Sequence, residues 1–289
     1  MAAYRGRDVL RPAEARRARS KKRGKLIQLG VEEILTPDDL YTNQTAMLAA
    51  FARARVADEE WCHLQDCEDG GCPHTTCSAA CWFGERAAAT DLIIEAAKLL
   101  QSTGKQLFFV TVIEPLYRRP VGRLKEFSFS AAKQLISRRF RSTDVLATDP
   151  AVGFMEVCIV VGAHGRREWM LHFHLVVASN AAPGTIRRTF QPAQRNKAKS
   201  FMEGRRLVPV VVKPVDRIHN LLGYITKRKL EVTDHSMARR AAGKSGGRVA
   251  AAERLELDRW LLPQVPLDRI ILRGVKRVHR HLTLLRSHR

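Results

Sequence analysis

Residues Glu168–Ser179 read EWMLHFHLVVAS. Aromatic and β-branched residues fill the run, as strands prefer. It follows a turn signal over Gly162–Arg167 (GAHGRR) and, before that, a second strand-like run, Gly153–Val161 (GFMEVCIVV). The two runs make a hairpin. Alternation along the pleat puts His172 and His174 on one face and Phe173 on the other. Two imidazoles on one sheet face form half of a divalent-metal site. The competing reading is a pair of hydrogen-bonded core histidines. Cys158, inside the preceding strand, reads as a small core residue.

Working outward, Gln106–Ile113 (QLFFVTVI) is a strand that stops at Pro115, and Ser128–Ser142 is an amphipathic helix with Ala131, Leu135, Ile136 and Phe140 on its apolar side. Residues 180–206 are polar and basic, a loop or irregular helix. Leu207–Val212 is a fourth strand, and Asp216 caps a helix over Arg217–Leu230. The order strand–helix–strand–strand–strand–helix is α+β. It suits an antiparallel sheet with helices packed on one face. Four regions result: a basic arm (1–44), a helical Cys/His-rich module (45–103), the strand-rich domain (104–231), and a basic linker with a helical tail (232–289). In the second region, helical patterns begin at Thr45 and again over Glu85–Gln101, which Gly104 ends. The tail holds a second His-x-His run, His279–Arg280–His281. On a helix, i and i+2 point in different directions, so this pair reads as surface.

The chain has 289 residues, with 50 Lys+Arg against 29 Asp+Glu and a net charge of +21. At 45% hydrophobic residues it has enough apolar content to build a core. No apolar run approaches the roughly 18 residues of a membrane helix. The basic N-terminus has no apolar centre of the secretory kind, so a cytoplasmic protein is expected. So positive a charge points to a polyanion, with nucleic acid first among partners. Residues 1–25 alone carry ten Arg and Lys.

Five of the six cysteines fall within twenty residues: Cys62, Cys67, Cys72, Cys77 and Cys81, with His63 and His74 among them. Their number is odd and the segment is polar, which disfavours both disulfides and buried thiols. Thiolates and imidazoles at short spacing suit a closed, structural Zn²⁺ site, able to order a loop too short for its own core. The spacing is not C-x2-C and leaves the ligand set open. Cys62, Cys67, Cys72 and Cys77 are the first choice, with Cys81 or His74 as substitutes.

Residues 220–227 read NLLGYITK. On a helix, Tyr224 and Lys227 lie i and i+3 and share a face. A phenol beside an ammonium can act as a nucleophile, the cation favouring phenolate and offsetting phosphate charge. An amphipathic helix with an exposed Tyr and Lys is the alternative.

An apolar strand with Thr (FFVTV, 108–112), then His-Phe-His on a strand, then Tyr-x-x-Lys on a helix resembles the HUH endonuclease superfamily, and within it the rolling-circle replication initiators. The resemblance covers roughly 104–231. It implies a ferredoxin-like domain in which His172 and His174 bind Mg²⁺ or Mn²⁺. It also implies that Tyr224 attacks a phosphate of single-stranded DNA at an origin or hairpin, leaving a 5′-phosphotyrosyl link, with Lys227 beside the phosphate. Family members usually add a third ligand before the pair. His164 stands at that place, and Glu156 and Glu168 are the other options. A third His after the pair, as in relaxases, is absent between 174 and 219. The single tyrosine differs from relatives that use two. A transposase of a mobile element and a non-enzymatic zinc-containing nucleic-acid-binding protein are the alternative functions. No G-x-x-x-x-G-K-[ST] loop is present, so extended unwinding would need a separate helicase.

Overall fold

The structure, a computed structural model, describes residues 45, 47–57, 92–161, 166–191, 209–215, 232–234, 249–261, 266–278 and 281–285. Helices α1 (47–53) and α2 (92–101) come first. Then follow β1 (Gln106–Pro120), α3 (Phe129–Arg141), the single turn α4 (Asp144–Ala147), β2 (Ala151–Val161), β3 (Arg167–Ser179), α5 (Pro183–Phe190) and β4 (Val210–Pro214). The last described elements are β5 (Val232–Asp234), α6 (Ala251–Leu261), β6 (Ile270–Arg273), β7 (Val275–Val278) and β8 (His281–Leu284). No helix among the described residues is long and apolar enough to cross a membrane.

The expected hairpin is present: β2 and β3 pair antiparallel from Ala151↔Val177 to Val161↔Arg167. β1 pairs antiparallel with β3 on one side and with β4 on the other. The sheet therefore runs β4–β1–β3–β2. The outer edge of β2 is shared by β6, antiparallel along Ala151–Phe154, and β5, parallel along Ile159–Val161. The chain is thus α+β with a mostly antiparallel sheet. Strand β1 outruns its expected end at Pro115. Its pairing with β3 shifts register between Ile113 and Arg118, and a residue with no N–H to give fits inside that interruption.

Helix α3 starts where expected, with the Ser128 hydroxyl capping the Ala131 N–H at 3.2 Å. Helix α5 lies in the stretch read as a basic loop or irregular helix; Pro183 opens it, where a missing N–H costs nothing. Ala132, Ile136 and Phe140 of α3, Ile186 and Phe190 of α5, and Leu257, Trp260 and Leu261 of α6 pack on Val110, Val112, Met155, Ile159, Leu171, Phe173 and Leu175. Glu256 of α6 ties this layer down by accepting from the Gly122 and Leu124 N–H groups and from the Trp169 indole.

The opposite face also carries packed elements, which the expectation of helices on one face did not include. Ile93, Ala96, Ala97 and Leu100 of α2 pack there against Leu107, Val152, Phe154, Val176 and Ala178, together with Val275 and Leu282 of the β7–β8 hairpin. Helix α2, read with the Cys-rich module, therefore lies against the sheet. The tail, read as helical, holds among its described residues the helix α6, a short 3-10 turn and the strands β6, β7 and β8. Four-residue strands show too little alternation to be seen in a sequence, and the open edge of β2 supplies the template for β6. Of that run His281 is described, and it opens strand β8, not a helix.

Gly153 is required by this packing. A Cβ there would sit 2.4 Å from Leu175 Cδ2 and 2.5 Å from the His174 carbonyl oxygen. Gly153→Ala should cost about 1–3 kcal/mol, because the clash includes backbone that cannot swing aside. Urea unfolding would show this as a lower midpoint at unchanged slope.

Candidate metal centre

His172 and His174 face away from the helix-covered core, into which Phe173 is fully buried. Antiparallel register sets Glu156 of β2 directly across from His172. Facing pairs share a side of the sheet, so the carboxylate arrives among the imidazoles. Glu156 Oε2 lies 2.9 Å from His172 Nε2 and 3.0 Å from His174 Nε2. The rings cross at 86° with centroids 4.7 Å apart. One ligand atom from each of the three residues lies within 4.8 Å of the others. Two imidazole nitrogens and one carboxylate oxygen on neighbouring strands suit a divalent transition metal and leave coordination positions open.

Strand β1 supports the trio from the other side. Thr111 stands opposite His174. Its Oγ1 lies 3.1 Å from His174 Nδ1, and the Phe109 ring stacks on the imidazole at 5.5 Å and 9°. His172 has Ile113 as its β1 neighbour instead. The surroundings are apolar. On one flank lies the cluster beneath α2, and on the other Cys158, Val160, Met170 and Ile113. The His174 side chain is 3% exposed, His172 13% and Glu156 18%. Cys158 is buried among apolar neighbours, in line with its reading as a small core residue.

Such burial would raise a carboxyl pKa. Hydrogen bonds from both imidazoles, and their charge, overcome it and hold Glu156 at about 2. For His172 burial acts downward, but Cys158 and Glu156 outweigh it and keep the imidazole above its ordinary value. Two linkages follow. Glu156 stabilises the fold above its unfolded pKa of 4.5, and this contribution is lost as pH falls through its depressed value. His172 stabilises below its unfolded 6.5, and this is lost as pH rises through its raised value. The metal-free chain should therefore gain most from this cluster between pH 4.5 and 6.5. Urea midpoints in a chelator, followed down toward the depressed Glu156 value of about 2 and up toward the raised His172 value of about 10, would test this. A cation held by these residues would have to displace the His172 proton, so its affinity would rise with pH.

Of the expected site residues, the structure brings His172 and His174 together. The third place among the described residues is taken by Glu156. Glu168 is instead paired with Arg118 of β1. His164, Tyr224 and Lys227 lie outside the described residues, as do Cys62, Cys67, Cys72, His74, Cys77 and Cys81. In the sequence Glu156 was one of two carboxylate options; counting outward from the expected turn, 162–167, sets it opposite Phe173, and the observed register, Val161↔Arg167, is what sets it opposite His172. The contacts of Phe109 and Thr111 with His174 had no signal beyond their strand. No family model, curated protein or solved structure matches the chain.

Proposed function

We propose that the chain is a metal-dependent endonuclease of the HUH class, acting on single-stranded DNA through a covalent tyrosyl intermediate. Within that class we assign it to the initiators of rolling-circle replication. The observation that carries this reading is the convergence of Glu156, His172 and His174 on one sheet face. The topology supports it. The order β-α-β-β-α-β with strands β4–β1–β3–β2 is compatible with a split β-α-β, ferredoxin-like arrangement. Strands β4 and β5, which flank the sequence containing Tyr224, sit at opposite edges of the sheet with the cluster on the strands between them. A net charge of +21 suits a phosphate backbone.

Glu156, His172 and His174 would hold Mg²⁺ or Mn²⁺, and a cation there supplies Lewis acidity at the scissile phosphate. The Tyr224 oxygen bonds to phosphorus while the bond to the 3′ oxygen breaks, and that oxygen leaves as a hydroxyl. The phosphotyrosine conserves the bond energy, so a later hydroxyl can rejoin the strand. Lys227 offsets charge on the phosphate. Zn²⁺ on the cysteine segment is structural in this reading.

The test is incubation of the full chain with labelled single-stranded DNAs of varied sequence and hairpin content, with Mn²⁺ or with chelator. A metal-dependent cut strand bearing covalently attached protein is the expected product. Binding without any cut strand, across all of these DNAs, would favour the non-enzymatic zinc protein instead.

A further inference from the structure

We infer that Phe109 and Thr111 are positioning residues that seat His174 as the fixed ligand of the metal centre. The inference rests on the metal-binding reading above and concerns residues which that reading leaves without a role.

The two histidines are not held alike. His174 Nδ1 has a hydroxyl partner at 3.1 Å and its ring lies flat against Phe109. His172 has only the weakly hydrogen-bonding Cys158 thiol besides Glu156, and its buried Nδ1 meets no oxygen or nitrogen partner among the described residues. A ligating histidine is normally oriented by a bond at its other nitrogen, which also sets the tautomer. Thr111 is placed to provide that bond for His174. Its hydroxyl can both give and accept a proton, so it serves the ring in either state. With Nε2 facing a carboxylate in the metal-free chain, the hydroxyl can donate to a bare Nδ1. With Nε2 on a cation, Nδ1–H can donate to the hydroxyl. The His174 side chain is 3% exposed, so water is a poor replacement. Phe109 restricts the remaining freedom, the tilt of the ring. Residues 109 and 111 are two apart on one strand and so reach the same face. The Phe-x-Thr spacing is therefore a single device.

The experiment is Mn²⁺ titration of the full chain, followed by electron paramagnetic resonance of the free ion. Thr111→Val keeps the β-branched shape and removes the hydroxyl. It should weaken Mn²⁺ binding about 10–100-fold, the usual cost of losing such a partner. Thr111→Ser should restore most of the affinity, which a purely packing role would not produce. In a His174→Ala background, Thr111→Val should change nothing further. Native Mn²⁺ affinity in Thr111→Val would overturn the inference. If that variant does not fold, Phe109→Leu decides. Weaker Mn²⁺ binding is expected there, and unchanged binding overturns the seat. A native chain that binds no Mn²⁺ at all would instead sink the metal centre itself, and this inference with it.

Discussion

Tyr224→Phe should leave no protein–DNA adduct, while retaining the affinity of the chain for single-stranded DNA. The substitution removes one oxygen. Phenylalanine has no lone pair to offer phosphorus, so the covalent route is closed and not merely slowed. Binding rests on a different term, the many phosphate contacts available to 50 Lys and Arg residues, and one phenol contributes little to it. Two measurements separate these effects: adduct on a denaturing gel and DNA affinity at fixed salt. Adduct that survives Tyr224→Phe would move the nucleophile elsewhere. Loss of both activities together would make Tyr224 a binding or folding residue.

Glu156→Gln should abolish metal binding and with it cleavage. The amide has nearly the shape of the carboxylate, so β2 and β3 should remain paired. What changes is charge. The carboxylate oxygen now lying 2.9 and 3.0 Å from two imidazole nitrogens supplies the only negative ligand in the cluster. A neutral amide oxygen is a much weaker ligand for a divalent cation. The loss in Mn²⁺ affinity should exceed the roughly 10–100-fold typical of a merely supporting residue. Calorimetric titration with Mn²⁺ checks the first half of the prediction, and strand cleavage the second. Cleavage by Glu156→Gln at the native rate would remove Glu156 from the metal centre, reopening the place for His164.

The elements built on long β-branched and aromatic runs were legible. Residues 153–161 and 168–179 are such runs on either side of a turn signal, enough to read as a hairpin. The two-residue period of a strand backbone then assigned His172 and His174 to one face. The exact register, and with it the place of Glu156, came only with the structure. The short tail strands were illegible for the opposite reason. Residues 270–273, 275–278 and 281–284 are four-residue runs whose state depends on the edge they join. Likewise, nothing local shows that the apolar side of α2 lies against the sheet and not within the cysteine segment.

By itself the amino-acid order determined the charge, the α+β alternation of elements, and the side of the pleat on which each residue of the central hairpin falls. These are local properties: a strand's period is set by its own backbone. Only the tertiary structure decided which carboxylate meets the two imidazoles and which hydroxyl steadies one of them. Those pairings join residues 16, 18 and 63 positions apart. They arise from sheet order, a choice made by burying two apolar faces at once, and no single segment carries that choice.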